Sequence, residues 1–367
     1  MFAGDVPVNT RINLVKEEGK RLESNLFKEQ KHNLSSNENP FGTSPEAIKA
    51  IKSILHQLNN YPPSDDSYVT TRLANHFGRG LKKSNFVAGN GVIDIINLIE
   101  QVSFKSDQTN SIIVCPPCFI SYAATARQRG AEVIEHPLLQ STFDVDVEGV
   151  LRLIRPDTRL LYLCNPNNPT GTYFNQTVLD QILMELPESV MLIYDEVYHH
   201  FVTEPNFPDA IQSVQNNRNI VVLHSLSKAY GLAGVRSGYA IANEQLVQKL
   251  QKQKLFFQDN RITQAAMGAA IQDDDFVQKV VASNTSQREW LEAELTQLGI
   301  GFYPSQANFI CLKVPENLST AQVIEHLERF GVLVSAAFYM PDHIRVSIGL
   351  PESNKQFIYA MEKLVNL

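Results

Sequence analysis

Apolar residues fall in short, dense runs, separated by stretches where apolar positions recur every three or four residues. Six runs read as buried strands: 111–115 (SIIVC), 131–136 (AEVIEH), 159–164 (RLLYLC), 190–195 (VMLIYD), 219–224 (NIVVLH) and 238–242 (GYAIA). Helical spacing fills most gaps between them, at 92–104, 119–129, 146–154 and 176–185. Strands of this kind alternating with helices predict a parallel α/β sheet covered on both faces. Beyond Asn243 the texture changes. Helices are expected over 244–258, 263–281 and 285–298, then short strands at 308–312, 332–335 and 344–348, with helices at 320–330 and near 352–365. Short strands with helices to one side predict a smaller α+β domain. The expected division is an N-terminal segment, 1–43, packing on the small domain, a large domain over 44–260, and a small C-terminal domain over 261–367.

Composition narrows the function. At 43% hydrophobic and 19% charged, 367 residues can bury large cores, which excludes wholesale disorder. Lys and Arg total 32 against 39 Asp and Glu, a net charge of −7, so the chain as a whole has no electrostatic case for nucleic acid. Four cysteines make no disulfide framework. The opening MFAGDVPVNTRINLVKEEGK lacks a basic region followed by an apolar stretch, and no apolar run reaches about 18 residues. A cytoplasmic chain without membrane contact is the expectation.

Ligands of open parallel sheets bind beyond the carboxyl ends of the strands. There the chain places Asn165-Pro166-Asn167-Asn168-Pro169-Thr170-Gly171, then Asp195-Glu196-Val197-Tyr198, then Ser225-Leu226-Ser227-Lys228 with Gly231, Gly234 and Arg236 following. A lysine among hydroxyls can form an imine with an aldehyde, a carboxylate can pair with a protonated pyridine nitrogen, and Ser with Arg can hold a phosphate. Pyridoxal 5'-phosphate makes those demands.

The ordered set NPNNPTG, DEVY and SLSKAYGLAGVR resembles the class I/II aminotransferases of fold type I, an α/β fold with a large, mostly parallel-sheet domain and a smaller α+β C-terminal domain. NLSSNENPFGTSPEAIKAI, AGNGVIDIINLI and IRVSIGLPESN resemble the histidinol-phosphate aminotransferase branch. The likeness runs from about residue 33 to the end. It implies that Lys228 binds the cofactor aldehyde and shuttles the α-proton, that Asp195 keeps the pyridine nitrogen protonated, and that Asn168 and Tyr198 bond the ring 3'-oxygen. It also implies phosphate ligands at Ser225, Arg236 and the backbone of Val92 and Ile93 after Gly91, a stacking ring at Phe119, and a substrate carboxylate held by Arg345 with Asn39 and Gly42 lining that site. Tyr61 is expected to reach the neighbouring subunit's phosphate, which implies a homodimer.

The chain also departs from the branch. Asp94 stands where the branch has Glu, Ser335 where it often has Arg, and Phe256-Phe257-Gln258 replaces Pro-Phe-Asn. The branch's N-terminal Tyr-x-x-Gly is not evident. The expected partners are a small-molecule amino donor and a 2-oxo acid, with 335–340 (SAAFYM) suited to an aromatic or aliphatic side chain. A decarboxylase, or an eliminating or cyclising enzyme on the same cofactor, stays open as an alternative. Cys115-Pro116-Pro117-Cys118 could be a thiol redox pair. His199-His200 is read as packing rather than a metal site, since adjacent residues on an extended segment face opposite ways.

Overall fold

The computed structural model describes residues 32–216 and 218–365. The calls that fall on 1–31, including most of the N-terminal segment, lie outside them. Thirteen strands are present among the described residues: β1 (His32–Asn33), β2 (Phe86–Gly89), β3 (Ser111–Val114), β4 (Glu132–Glu135), β5 (Thr158–Cys164), β6 (Met191–Asp195), β7 (Ile220–Ser225), β8 (Gly238–Ile241), β9 (Phe302–Tyr303), β10 (Phe309–Lys313), β11 (Val332–Leu333), β12 (Ser335–Ala337) and β13 (Met340–Ser347). The α-helices are α1 (Pro45–Ile54), α2 (Ser67–Phe77), α3 (Val92–Ser103), α4 (Ser121–Gln128), α5 (Val147–Arg152), α6 (Gln176–Glu185), α7 (Ala210–Gln215), α8 (Glu244–Gln253), α9 (Arg261–Ala270), α10 (Asp274–Gln297), α11 (Thr320–Arg329) and α12 (Pro351–Val365).

Seven strands form the large sheet in the order β2-β8-β7-β6-β5-β3-β4. Pairing from β7 through β4 is parallel, and β8 runs antiparallel to both of its neighbours. The central strands are apolar and buried throughout, because helices cover both faces. The small sheet is antiparallel, in the order β12-β13-β10-β9. A third, two-stranded parallel pairing joins β1 to β11 and so binds residues 32–33 to the chain beside the small sheet.

Three local expectations need correction. The strand 238–242 was read as one more parallel strand, but it reverses direction, and hydropathy alone does not encode direction in a fully buried strand. The helix expected over 244–258 stops at Gln253 because the Lys254 ammonium turns inward, donating to Asp66 and the Ala88 carbonyl at 2.9 and 2.8 Å, with Asp259 at 2.5 Å. The helix break expected near 282–284 lies instead at 271–273. Asn284 sits inside α10 as a buried residue whose amide donates to the Ala307 carbonyl, while Asp273 leaves helical geometry and accepts from Ser44 Oγ. Residues 261–271 lie beyond the border expected at 260, yet Ala266, Met267, Ala270 and Ile271 share the apolar core under the large sheet. Among the described residues no helix is long and apolar enough to cross a membrane.

Candidate active site

The ends of β5, β6 and β7 deliver the loops that carry Asn168, Asp195 and Lys228 side by side. Asp195, the last residue of β6, is 3% exposed. Its Oδ1 accepts the Val197 N–H at 3.1 Å, and its Oδ2 accepts the Tyr122 hydroxyl at 2.5 Å. Burial raises its pKa to about 6 against the pull of those donors. Lys228 lies in the loop after β7, and its Nζ donates to the Ser36 carbonyl at 3.3 Å and stands 5.9 Å from the Tyr198 ring centre. Burial, reinforced by the Arg345 charge, lowers its pKa to about 8, and Asp195 pulls the other way. The amine therefore has a neutral form within easy reach of neutral pH.

Tyr198 is buried, and burial pushes its phenol upward in pKa. The Asn37 amide donates to its oxygen at 3.1 Å. Arg345 comes from β13, so the small sheet supplies it. Its Nη1 donates to Asn168 Oδ1 and its Nη2 to the Ser35 carbonyl, both at 2.8 Å. Ser335 pairs with Arg345 in the strand register and donates its hydroxyl to the same Ser35 carbonyl at 2.9 Å. Phe338 lies 5.5 Å from the Arg345 guanidinium and 6.4 Å from the Phe119 ring. Asn39 donates to the Lys228 and Ala229 carbonyls, and Gly42 follows in the same loop.

An anion site closes the other end. Gly91 caps α3 with φ of 86°, and a Cβ there would sit 2.5 Å from Arg236 Nη2. The guanidinium thus lies directly against a helix start, where the N–H groups of Val92 and Ile93 have no partner within the helix. Gly238 is equally confined, since its Cβ would meet the Val92 nitrogen at 2.8 Å. Ser225 Oγ donates to the Ser237 carbonyl and accepts the Ser227 N–H, which fixes the turn before Lys228. A phosphate seat, an amine and a buried carboxylate in one crevice are the donor set that a phosphorylated pyridine aldehyde requires.

The structure gathers Asn168, Asp195, Tyr198, Ser225, Lys228, Arg236 and Arg345 around this crevice. It leaves Tyr61 outside, 79% exposed and stacked on Phe257 with ring centres 5.0 Å apart. Sequence reasoning missed Tyr122, whose only signal was its place three residues after Phe119. Two of the departures from the branch pattern meet: Gln258 Nε2 donates to both carboxylate oxygens of Asp94 at 2.9 Å, and Asp94 also accepts the Asn90 N–H.

Other readings find less support. Cys115 and Cys118 are buried, and burial pushes the Cys115 thiol up to about 12, the reverse of a reactive thiolate. His199 and His200 do not face opposite ways, because 199–201 is a 3-10 turn that brings their rings within 3.8 Å. Among the described residues, Glu196, His199 and His224 bring possible metal-ligand atoms within 4.8 Å of one another. His224 already spends both ring nitrogens on Glu196 and Tyr239, at 2.8 and 3.0 Å, and its ring lies 20° from parallel to that of His199.

Residues 29–361 match the family model described as aminotransferase class I and II. The histidinol-phosphate aminotransferase of Halalkalibacterium halodurans is 34% identical over 89% of this chain and 87% of its own length. A crystal structure of a putative histidinol-phosphate aminotransferase from Erwinia carotovora atroseptica superimposes with a TM-score of 0.83 at 25% identity, covering 91% of this chain and 96% of its own. The Sinorhizobium meliloti histidinol-phosphate aminotransferase, solved in complex with pyridoxal-5'-phosphate, shares the fold with a TM-score of 0.84 at 21% identity, over 100% and 98% of the two chains.

Proposed function

The chain belongs to the class I and II aminotransferase family, as a pyridoxal phosphate-dependent aminotransferase, and from that premise we propose how its residues divide the work and which amine they serve. When bound, pyridoxal phosphate supplies an aldehyde carbon for amines and a ring that takes up the electron pair left by a departing α-proton. Lys228 Nζ binds the aldehyde carbon at rest and is the base that accepts the substrate's α-proton once freed. Asp195 holds a proton at the ring nitrogen. Asn168 and Tyr198 donate to the ring 3'-oxygen, and Phe119 packs on the ring face. Ser225, Arg236 and the N–H groups of Val92 and Ile93 bind the phosphate, with Gly91 giving the anion room. Arg345 holds the substrate's anionic group in a two-pronged grip, and Asn39 and Gly42 line that end.

The observation that carries this reading is the buried Lys228 amine in the loop after β7, its pKa lowered to about 8 by burial and the Arg345 charge, beside the strand end that carries the buried Asp195 carboxylate. Histidinol phosphate is the first amine we assign, because the relatives named above carry it in their names. A second reading, an aromatic amino acid, is favoured by Phe338 and by the Ser335 hydroxyl beside Arg345. The acceptor is a 2-oxo acid. Purified chain incubated with pyridoxal phosphate should turn yellow, and Lys228→Ala should lose the bound band on dialysis; a wild type that stays colourless refutes the reading. Loss of the band on adding each amine, measured beside release of the matching product (a phosphorylated ketone from histidinol phosphate, a 2-oxo acid from an amino acid) and, for amino acids, of CO₂ and ammonia, then separates the two donors and tells transamination from decarboxylation or elimination.

We also propose a cytoplasmic homodimer. Leu55, Leu58, Tyr61, Leu255 and Phe256 are exposed, Phe256 by 85%, and the stacking of Tyr61 on Phe257 joins the two segments that carry them. In the dimer Tyr61 reaches the phosphate bound by the other subunit.

A further inference from the structure

We propose that Tyr122 is a positioning residue for this reaction: its phenol, fixed on Asp195 Oδ2 at 2.5 Å, keeps that carboxylate ionised and decides which of its lone pairs remain open. The inference rests on the assignment of Asp195 to the ring nitrogen. A carboxylate only accepts hydrogen bonds, so the phenol must be the donor. Tyr122 is 1% exposed, and its ring has no freedom to swing away. It stacks on Tyr162 with centres 4.9 Å apart and planes 14° from parallel, and it meets Phe119 edge-on at 5.5 Å. Tyr162 is held in turn by its own hydroxyl, which donates to Glu100 Oε1 at 3.2 Å. With Val197 N–H on Oδ1, the carboxylate has one fixed donor on each oxygen.

Other groups near Asp195 do not replace this donor. Glu196 raises its pKa, the Lys228 charge lowers it, and burial holds the Cys164 thiol and the Tyr198 phenol in their neutral forms. Tyr122 is the largest influence opposing burial at Asp195. Its removal leaves a half-satisfied carboxylate in an apolar setting, which takes up a proton more readily.

The test uses cofactor-free full-length chain and reads pyridoxal phosphate affinity by absorbance titration across pH. Wild-type affinity should fall as pH drops through the Asp195 range. In Tyr122→Phe that fall should move up by about one pH unit, with affinity near wild type at the alkaline end. A fluorotyrosine at position 122, a stronger donor of nearly the same size, should move it down. Tyr162→Phe, which lies in the same stack without touching Asp195, should leave the curve in place, and Tyr122→Phe should add no shift once Asp195 is Asn. A Tyr122→Phe curve that overlays the wild type, or a shift that persists without the Asp195 carboxylate, overturns the proposal. Failure of the wild type itself to bind pyridoxal phosphate sinks the underlying assignment, and the role of Tyr122 with it.

Discussion

Arg345 Nη1 donates to the side-chain oxygen of Asn168 across 2.8 Å, a hydrogen bond that runs from the small sheet to the loop after a central strand of the large one. With its oxygen committed to Arg345, Asn168 has its amide N–H₂ to offer elsewhere, which suits a ring oxygen as acceptor. Arg345→Ala should raise KM for the amine donor by about 10- to 100-fold, the value of a hydrogen bond to a charged group, while pyridoxal phosphate stays bound. Arg345→Lys should recover little of it, since an ammonium cannot make the planar two-pronged contact. Loss of the cofactor in either variant would place Arg345 at the wrong end of the site.

The Lys228 amine is held down to about 8 by burial first and the Arg345 charge second. Above that pH it is neutral and nucleophilic. In cofactor-free protein, reductive labelling by a small aldehyde should climb with pH to a plateau just above about 8, ahead of the exposed lysines, whose ordinary range is near 10.4. Arg345→Ala removes a like charge, so the rise should move to higher pH. Peptide mapping after labelling measures both. Labelling of Lys228 in step with the surface lysines would contradict the burial argument.

Burial raises the Glu196 carboxyl to about 8, where it shares a hydrogen bond with His224 at 2.8 Å. The folded chain therefore holds a proton that the unfolded chain releases near 4.5. This contribution to stability is complete below about 4.5 and is lost as pH rises towards 8. Glu196→Gln abolishes the titration. Its urea midpoint relative to wild type should improve as pH is raised from about 5 to about 8. Parallel midpoints across that interval would show that Glu196 is ionised throughout.

Phe256 and Leu58 are exposed, on the two segments that the Tyr61–Phe257 stack joins. Placing a charge there should split the proposed dimer, because an unpaired charge buried at an interface costs several kcal/mol. Phe256→Asp should sediment as a monomer and retain pyridoxal phosphate less well than wild type, since Tyr61 can no longer reach across. A dimer that survives both Phe256→Asp and Leu58→Asp would put the interface elsewhere.

The Asp94–Gln258 contact bears on two departures at once. Asp94 stands where the branch pattern has Glu and Gln258 where it has Asn, so the acid is one methylene shorter and the amide one methylene longer, and in this chain the two side chains bond each other. Asp94→Glu alone should overfill the gap, and Gln258→Asn alone should leave it open. Each should lower Tm by a few degrees, and the double variant should return most of the loss. Additive losses in thermal melts would mean the two positions are independent.

Much of the site was readable because its residues follow strand ends in order: Asn168 after β5, Asp195 at the end of β6, Lys228 after β7. Helix 176–185 was also placed as it stands, with Asn175 accepting from Val178 N–H as a cap. The direction of β8 was not readable, since a strand buried on both faces shows the same hydropathy whichever way it runs. Strand β2 escaped notice because four residues ending in Ala-Gly carry little strand signal. Asn284 misled because a polar residue in a helix looks like a break until its distant partner, the Ala307 carbonyl, is known. Tyr122 stayed hidden for the same reason: its partner Asp195 lies 73 positions away along the chain.

Residues 34–37 are tied into both sheets. Leu34 and Asn37 exchange hydrogen bonds with Ser347, and the Ser35 carbonyl takes the Arg345 side chain. The next two residues give the Ser36 carbonyl to Lys228 and the Asn37 amide to Tyr198. A slide of the small sheet cannot leave those last two contacts untouched. The strap gears the two bodies together, so a pull on Arg345 at the Ser35 carbonyl is passed to the adjacent carbonyl that holds the Lys228 amine.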